Sequence, residues 1–295
     1  MKLNIAIEKY LKWKSLLRAE KTVSNYSASL RQFAIFSNNC DLEEVLLEDV
    51  TEWFILMKEM GYDENTLIPK ASALKDFFKY YYHQKYSVVD PQLIPIPKKN
   101  YKAVKTINEE QYDLILRSVE NVHNDNHLIL FRNKAIISLL WDTGIRVSEL
   151  TSLDINDLNL EKRSSHVATK KSRGARPFRK IFWSRETNIF LKEWLTVKPV
   201  LNNTEALFIS LDTKSKGKRL TTRSVQRAFN KITSTCELEW VTPHIMRHSK
   251  AHRILKGKGS TADVMNVLGH SNLNSSMTYV SMFDDELEER AKLFL

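Results

Sequence analysis

The sequence predicts a mainly α-helical protein in two parts, an all-helical N-terminal domain followed by a mixed α+β C-terminal domain with a small β-sheet. Three observations carry this. Apolar residues recur at helical spacing through the first ninety positions. Residues 88–105, VVDPQLIPIPKKNYKAVK, then interrupt the pattern with three prolines and four lysines. Further on, HVAT and PFRKIFW switch to the spacing of short strands. A chain of 295 residues, 42% hydrophobic with six Trp and thirteen Phe, has enough apolar material for two cores.

The elements follow in order. Residues 3–18 read as an amphipathic helix with Leu3, Ile7, Tyr10, Leu11 and Leu17 on one side. Thr22 or Ser24 is expected to cap a second helix striped by Tyr26, Leu30, Phe33 and Phe36. A third, EDVTEWFILMKEMG, stops at Gly61, and a fourth, LIPKASALKDFFKYYYHQKY, carries Pro69 near its start. The Pro/Lys stretch reads as an extended basic linker. Beyond it, INEEQYDLILRSVEN and RNKAIISLLWDTG are helical, and the second is apolar enough to be buried. Gly144 ends that run just before Arg146. Residues 151–160 turn, the two strands flank a basic loop, KKSRGAR, and helices are expected at 184–198 and 221–235 with a short strand at ALFIS between them. The last residues, FDDELEERAKLFL, form a charged helix ending in three apolar residues.

Composition narrows the partners. The net charge is +10 and the pI about 9.4, with the basic excess mostly C-terminal of residue 100, which points towards a polyanion. Cys40 and Cys236 are too few for a disulfide framework and sit in no metal-spaced cluster, so a reducing, cytoplasmic setting is expected. The N-terminal stretch alternates apolar and charged residues, unlike a signal peptide, and no run reaches the roughly 18 apolar residues of a membrane span.

The chemistry concentrates between Thr242 and Tyr279. His244 stands three residues before Arg247, Gly269-His270 follows an apolar helical run, and Tyr279 lies nine residues beyond His270. A reaction at a phosphodiester needs charge neutralisation on the non-bridging oxygens, a nucleophile, and a proton for the leaving oxygen. Arginine suits the first task because its planar fork donates two parallel hydrogen bonds and keeps its charge; Arg146 and Arg247 are the candidates. Tyrosine is a plausible covalent nucleophile at phosphorus, and Tyr279 follows a turn-rich SNLNSS segment. His244, His248 and His252 share one helix face, but without the acid of the HExxH pattern they predict no metal site.

The ordered set DTGIRVSEL, PHIMRH and LGHSNLNSSMTY resembles the tyrosine recombinase (phage integrase) family, whose site is Arg, Lys, His-x-x-Arg, His and Tyr in that order. The resemblance spans nearly the whole chain. It implies that residues 1–88 are a SAM-like helical core-binding domain, 89–105 a linker, 106–283 the catalytic domain, and 284–295 a tail helix for protomer contacts through Leu287, Leu293, Phe294 and Leu295. It further implies that Tyr279 attacks the scissile phosphate to give a 3′-phosphotyrosyl bond, that Arg146 and Arg247 clamp the phosphate with help from His270, and that His244 handles a proton near the nucleophile. Glu149 matches the acidic position that braces such sites. The family lysine lies in the hairpin, where this chain departs from the usual Gly-Lys-Gly turn. Val167, three positions earlier, favours Lys170, and Lys171 is the alternative.

No cofactor or metal is implied, because the phosphotyrosyl bond conserves the energy of the broken ester. The implied partners are double-stranded DNA carrying paired recombination sites and three further copies in a synaptic tetramer, or a second recombinase in place of some of them. Lys98, Lys99, Lys102, Arg173, Arg176, Arg223 and Arg227 are candidate DNA contacts. With no room for an arm-binding domain, the chain is expected to be Xer-like, acting in dimer resolution or in integration and excision of a mobile element. Type IB topoisomerase-like relaxation and a catalytically inert DNA-binding accessory protein are the competing readings.

Overall fold

The computed structural model describes residues 1–100, 105–168, 178–201 and 204–269. The chain divides into two compact units, Met1–Lys102 and Ala103–Leu295. Lys102, Lys170, Lys171, Arg173, Arg176, His270, Tyr279 and the tail 284–295 lie outside the described residues.

In the first unit four α-helices form: α1 (Leu3–Leu17), α2 (Glu20–Phe36), α3 (Leu47–Glu59) and α4 (Glu64–His83). Leu3, Ile7, Tyr10, Leu30, Phe33, Trp53, Phe77 and Phe78 fill the core between them. The buried Tyr81 hydroxyl donates to the Ala6 carbonyl at 2.8 Å and pins α4 to α1. Leu17, expected on the buried side of α1, is exposed, and Lys14 is buried in its stead. The Lys14 ammonium pairs with Asp76 and lies near the rings of Tyr10, Trp13 and Tyr26, so its charge is matched where its stem packs.

Two helix starts differ from expectation. Helix α2 begins at Glu20, before Thr22 and Ser24, with an acid in its first turn where the helix dipole favours one. Helix α4 begins at Glu64 because Asp63 caps it, accepting the Thr66 N–H at 2.9 Å. Pro69 therefore lies inside the helix, where it lacks the N–H that would bond the Asn65 carbonyl. Helix α3 gives way to Gly61 at φ +84°, a left-handed position that glycine adopts without strain. The Pro/Lys stretch is less open than a free linker: Val89 and Ile94 are buried in this core, and Asn100 exchanges hydrogen bonds with Asn65.

The second unit is built around α6 (His127–Thr143), apolar on nearly all sides as a central helix must be. It packs against α5 (Glu109–His123), α8 (Arg185–Val197) and α10 (Pro243–Lys256). A short α7 (Val147–Ser152) follows α6. The sheet is antiparallel in the order β1 (Leu158–Asn159), β2 (Ser164–Ala168), β3 (Phe178–Phe182), with Val167 opposite Arg179. Strand β1 falls where only a turn is expected, being too short to show a period. The ALFIS segment is buried but makes only isolated bridges, Asp154 with Ala206 and Ile209 with Arg219, rather than a strand. Helix α9 (Thr222–Ser234) buries Val225, Phe229 and Ile232, which leaves Arg223 and Arg227 exposed. Helix α11 (Thr261–Leu268) packs on α10 through Ala251, Leu255, Val264 and Leu268. No described helix is long and apolar enough to cross a membrane.

Candidate active site

The end of α6 sets the site. Gly144 caps that helix at φ +61°, and a Cβ there would meet Leu268 Cδ2 at 2.6 Å, so conformation and space both require glycine. The turn delivers Arg146 to the N-cap of α7. Its backbone N–H donates to Glu149 Oε2 at 2.8 Å and its Nη1 donates to Oε1 at 2.9 Å. The Arg146 side chain is 38% exposed, whereas that of Glu149 is 1% exposed. The acid thus braces, from the interior, a cation that faces outwards.

Arg179, on β3, completes the brace and is absent from the residues singled out in the sequence. Its Nη1 and Nη2 donate to Glu149 Oε1 and Oε2 at 3.0 and 2.8 Å, and its Nε donates to the Val267 carbonyl at 3.1 Å. The Glu149 carboxylate therefore accepts four hydrogen bonds, two on each oxygen. Burial pushes its pKa up, but the hydrogen bond and charge of Arg179, with the backbone N–H and charge of Arg146, outweigh burial and hold it below the usual glutamate value. The signal for Arg179 was the strand period, since residues 179 and 181 share a face and Ile181 is buried.

Arg247 lies on α10, whose start is fixed by Thr242, which caps Ile245, and by Pro243 at the first helical position. It is only 2% exposed. Its Nη1 donates to the Gly144 carbonyl and its Nη2 to the Leu268 carbonyl, both at 2.7 Å. These carbonyls belong to the C-terminal ends of α6 and α11, where the helix dipole favours a cation. Arg247 so binds three helices at one point. Two of its five N–H donors serve this purpose.

His244 stands at the exposed start of the same helix. Partial withdrawal of its ring from water, then the charges of Arg247 and Arg146, lower its pKa below the usual histidine value, which favours the uncharged imidazole. Its ring meets that of His248 edge-on at 4.4 Å. Burial first, then His244 and Arg247, lowers His248 to about 4. His252 lines a cavity of about 850 Å³ with Arg253, Lys256 and the start of α5. Among the described residues no three His, Cys, Asp or Glu side chains are placed to hold a metal ion.

The structure thus brings Arg146, Glu149, His244 and Arg247 into one region of the second unit. Arg223 and Arg227 lie on the exposed side of α9, and Lys98 and Lys99 are exposed in the first unit.

A mainly helical fold in which Arg146 and His244 are exposed and Arg247 is buried behind them marks a class of proteins with a cationic site suited to an anion. The particular family follows from comparison with known proteins. Residues 105–286 match the phage integrase family and residues 7–85 match the phage integrase N-terminal SAM-like domain. The tyrosine recombinase XerC of Mannheimia succiniciproducens is 30% identical over 292 residues, covering 94% of each chain. Among solved structures, the XerH site-specific recombinase bound to a palindromic difH substrate has a TM-score of 0.72 at 24% identity, over 98% of this chain and 84% of that one. A Tn1549 transposon integrase in complex with a circular intermediate DNA has a TM-score of 0.76 at 19% identity, over 98% and 99%. The chain belongs to the phage integrase family and is a tyrosine site-specific recombinase.

Proposed function

We propose that the protein cuts and reseals double-stranded DNA at specific sites through a 3′-phosphotyrosyl intermediate formed by Tyr279. The observation that carries this reading is the brace around Arg146: a buried carboxylate held in place by two arginines, with one of them turned outwards beside Arg247 and a neutral His244. That arrangement offers net positive charge to an anion and, next to it, an imidazole whose lowered pKa favours the uncharged, proton-accepting form.

In the reaction, the Tyr279 phenol oxygen attacks phosphorus and the bond to the 5′-oxygen breaks. Arg146 and Arg247 neutralise the charge that builds on the non-bridging oxygens, and His270 donates a further hydrogen bond there. His244, in its uncharged form, accepts the phenol proton. Lys170 or Lys171 supplies a proton to the departing 5′-oxygen. A 5′-hydroxyl from a partner strand reverses these steps, and the exchange conserves the ester bond. One site cuts one strand, so exchange between two duplexes calls for four protomers, and the tail 284–295 is the segment that links them.

Residues 1–88 and the catalytic domain 106–283 both contact the target, joined by the basic linker 89–105. Lys98, Lys99, Lys102, Arg173, Arg176, Arg223 and Arg227 contact the DNA. The supporting features are the basic excess of the chain and the exposed face of α9. The test is covalent trapping: wild type and Tyr279→Phe are incubated with nicked suicide substrates built from DNA flanking the gene. A denaturant-resistant protein–DNA band from wild type, absent from the variant, is the expected result. A band of equal strength from Tyr279→Phe contradicts it.

A further inference from the structure

Arg179 has no role in the reaction just described, yet three elements of the described site meet at its guanidinium. Its guanidinium spends all three nitrogens within the cluster: a parallel pair of bonds to the two Glu149 oxygens and a third to the Val267 carbonyl. Those partners sit on three separate elements, since Arg179 is on β3, Glu149 on α7 and Val267 near the end of α11. Gly269, the next residue but one after Val267, is packed so closely that a Cβ would lie 2.9 Å from the Arg179 Cδ and Nη1. Glu149 and Arg179 are both almost wholly removed from water.

Charge balance shows what this hub does. Glu149 is the acid partner of Arg146, and a carboxylate facing a single arginine cancels its charge. Here the same carboxylate also faces Arg179 in the fork-to-fork geometry that is the stronger of the two contacts. The carboxylate is neutralised from the interior, and the positive charge of Arg146 is left over on the exposed side.

We propose that Arg179 is a positioning residue for strand cleavage: it neutralises and aligns Glu149 so that Arg146 presents its full charge to the scissile phosphate. The same bonds tie the hairpin and the end of α11, which lead to the Lys170/Lys171 loop and to His270 in the sequence, to the element that carries Arg146. The inference rests on the cleavage reading above.

The test is a two-residue cycle read by single-turnover formation of the covalent band, with gel-shift affinity and melting temperature measured alongside. Arg179→Met leaves Glu149 to neutralise Arg146, so the cleavage rate falls roughly 10- to 100-fold, the range found when partners that orient a site's ligands are lost, while DNA affinity stays close to wild type. Adding Glu149→Gln removes the unbalanced carboxylate and recovers about fivefold or more of that loss, a rescue that simple packing damage would not show. Should Arg179→Met fail to fold, Arg179→Lys carries the test. It keeps the charge without the fork, and a reduced rate at unchanged affinity is expected. A wild-type rate in the variant that folds, or a double variant slower than Arg179→Met, overturns the proposal. Absence of any covalent band from wild type on DNA that it binds overturns the cleavage reading and this inference together, in a lane that contains no variant.

Discussion

Each unit of the molecule buries an ion cluster, and the two are built to opposite ends. In the first, Lys14 meets Asp76 one to one, Tyr10 donates to the same carboxylate at 3.0 Å, and aromatic rings surround the ammonium. Burial, then Asp76, pushes the Tyr10 phenol far above its usual value, so the hydroxyl remains a donor. Lys14 and Asp76 pair one to one, and only Asp76 keeps an edge in water. In the second, one carboxylate serves two arginines, and Arg247 adds a third cation that donates to the backbone carbonyls described above. Among the described residues Glu149 faces two arginines, and Arg146 is the one that reaches the surface. A balanced cluster holds helices together, whereas an unbalanced one also demands an anion from outside.

The comparison breaks most readily at the acids. Glu149→Ala leaves Arg179 buried without its partner and should cost about 3–5 kcal/mol. Asp76→Ala should cost less, about 1–2 kcal/mol, because Asp76 reaches water and the rings still face Lys14. Urea unfolding of the two variants measures both, and an Asp76→Ala protein as unstable as Glu149→Ala would contradict the ranking.

Acid sharpens the contrast. His248 has a folded pKa lowered to about 4 against an ordinary 6.5. Between these values the unfolded chain binds more protons, so the stability that His248 contributes is whole above pH 6.5 and is lost as pH falls towards 4. Glu149, also lowered, adds a loss of the same sign below the ordinary glutamate range. Melting temperature against pH should therefore drop from pH 6.5 downwards, and His248→Gln should flatten the upper part of the drop. An unchanged profile in that variant would assign the acid sensitivity elsewhere.

The smallest effect lies on the surface. Arg223→Ala and Arg227→Ala should each weaken DNA binding at low salt and reduce the slope of log affinity against log salt by about 1. Gel shifts across a salt series measure this, and an unaltered slope would remove α9 from the interface.

Much of this was legible in the sequence, and the exceptions have two causes, competing local caps and distant partners. The stripe of Tyr26, Leu30 and Phe33 announces α2, and Gly144 before Arg146 announces a helix end, because both are local patterns. Thr22 and Ser24 have cap chemistry but lie inside a helix that starts earlier, and Pro69 sits in a helix interior that a cap at Asp63 had already nucleated. The burial of Lys14 depends on Asp76, sixty-two positions away. Arg179 depends on Glu149, thirty positions away, and no local pattern in PFRKIFW pairs the two. Spacing reveals which residues share a face, but not which distant acid waits opposite them.

On the proposed reading, the charge of Arg146 meets the scissile phosphate. The direct measurement is the rate of covalent-band formation by wild type and Arg146→Ala on two substrates, one with an ordinary scissile phosphate and one with an uncharged methylphosphonate in its place. Loss of Arg146 should slow cleavage of the phosphate by roughly 10²–10³-fold and slow the methylphosphonate far less, since that substrate carries no charge to neutralise. An equal loss on both substrates would contradict the account.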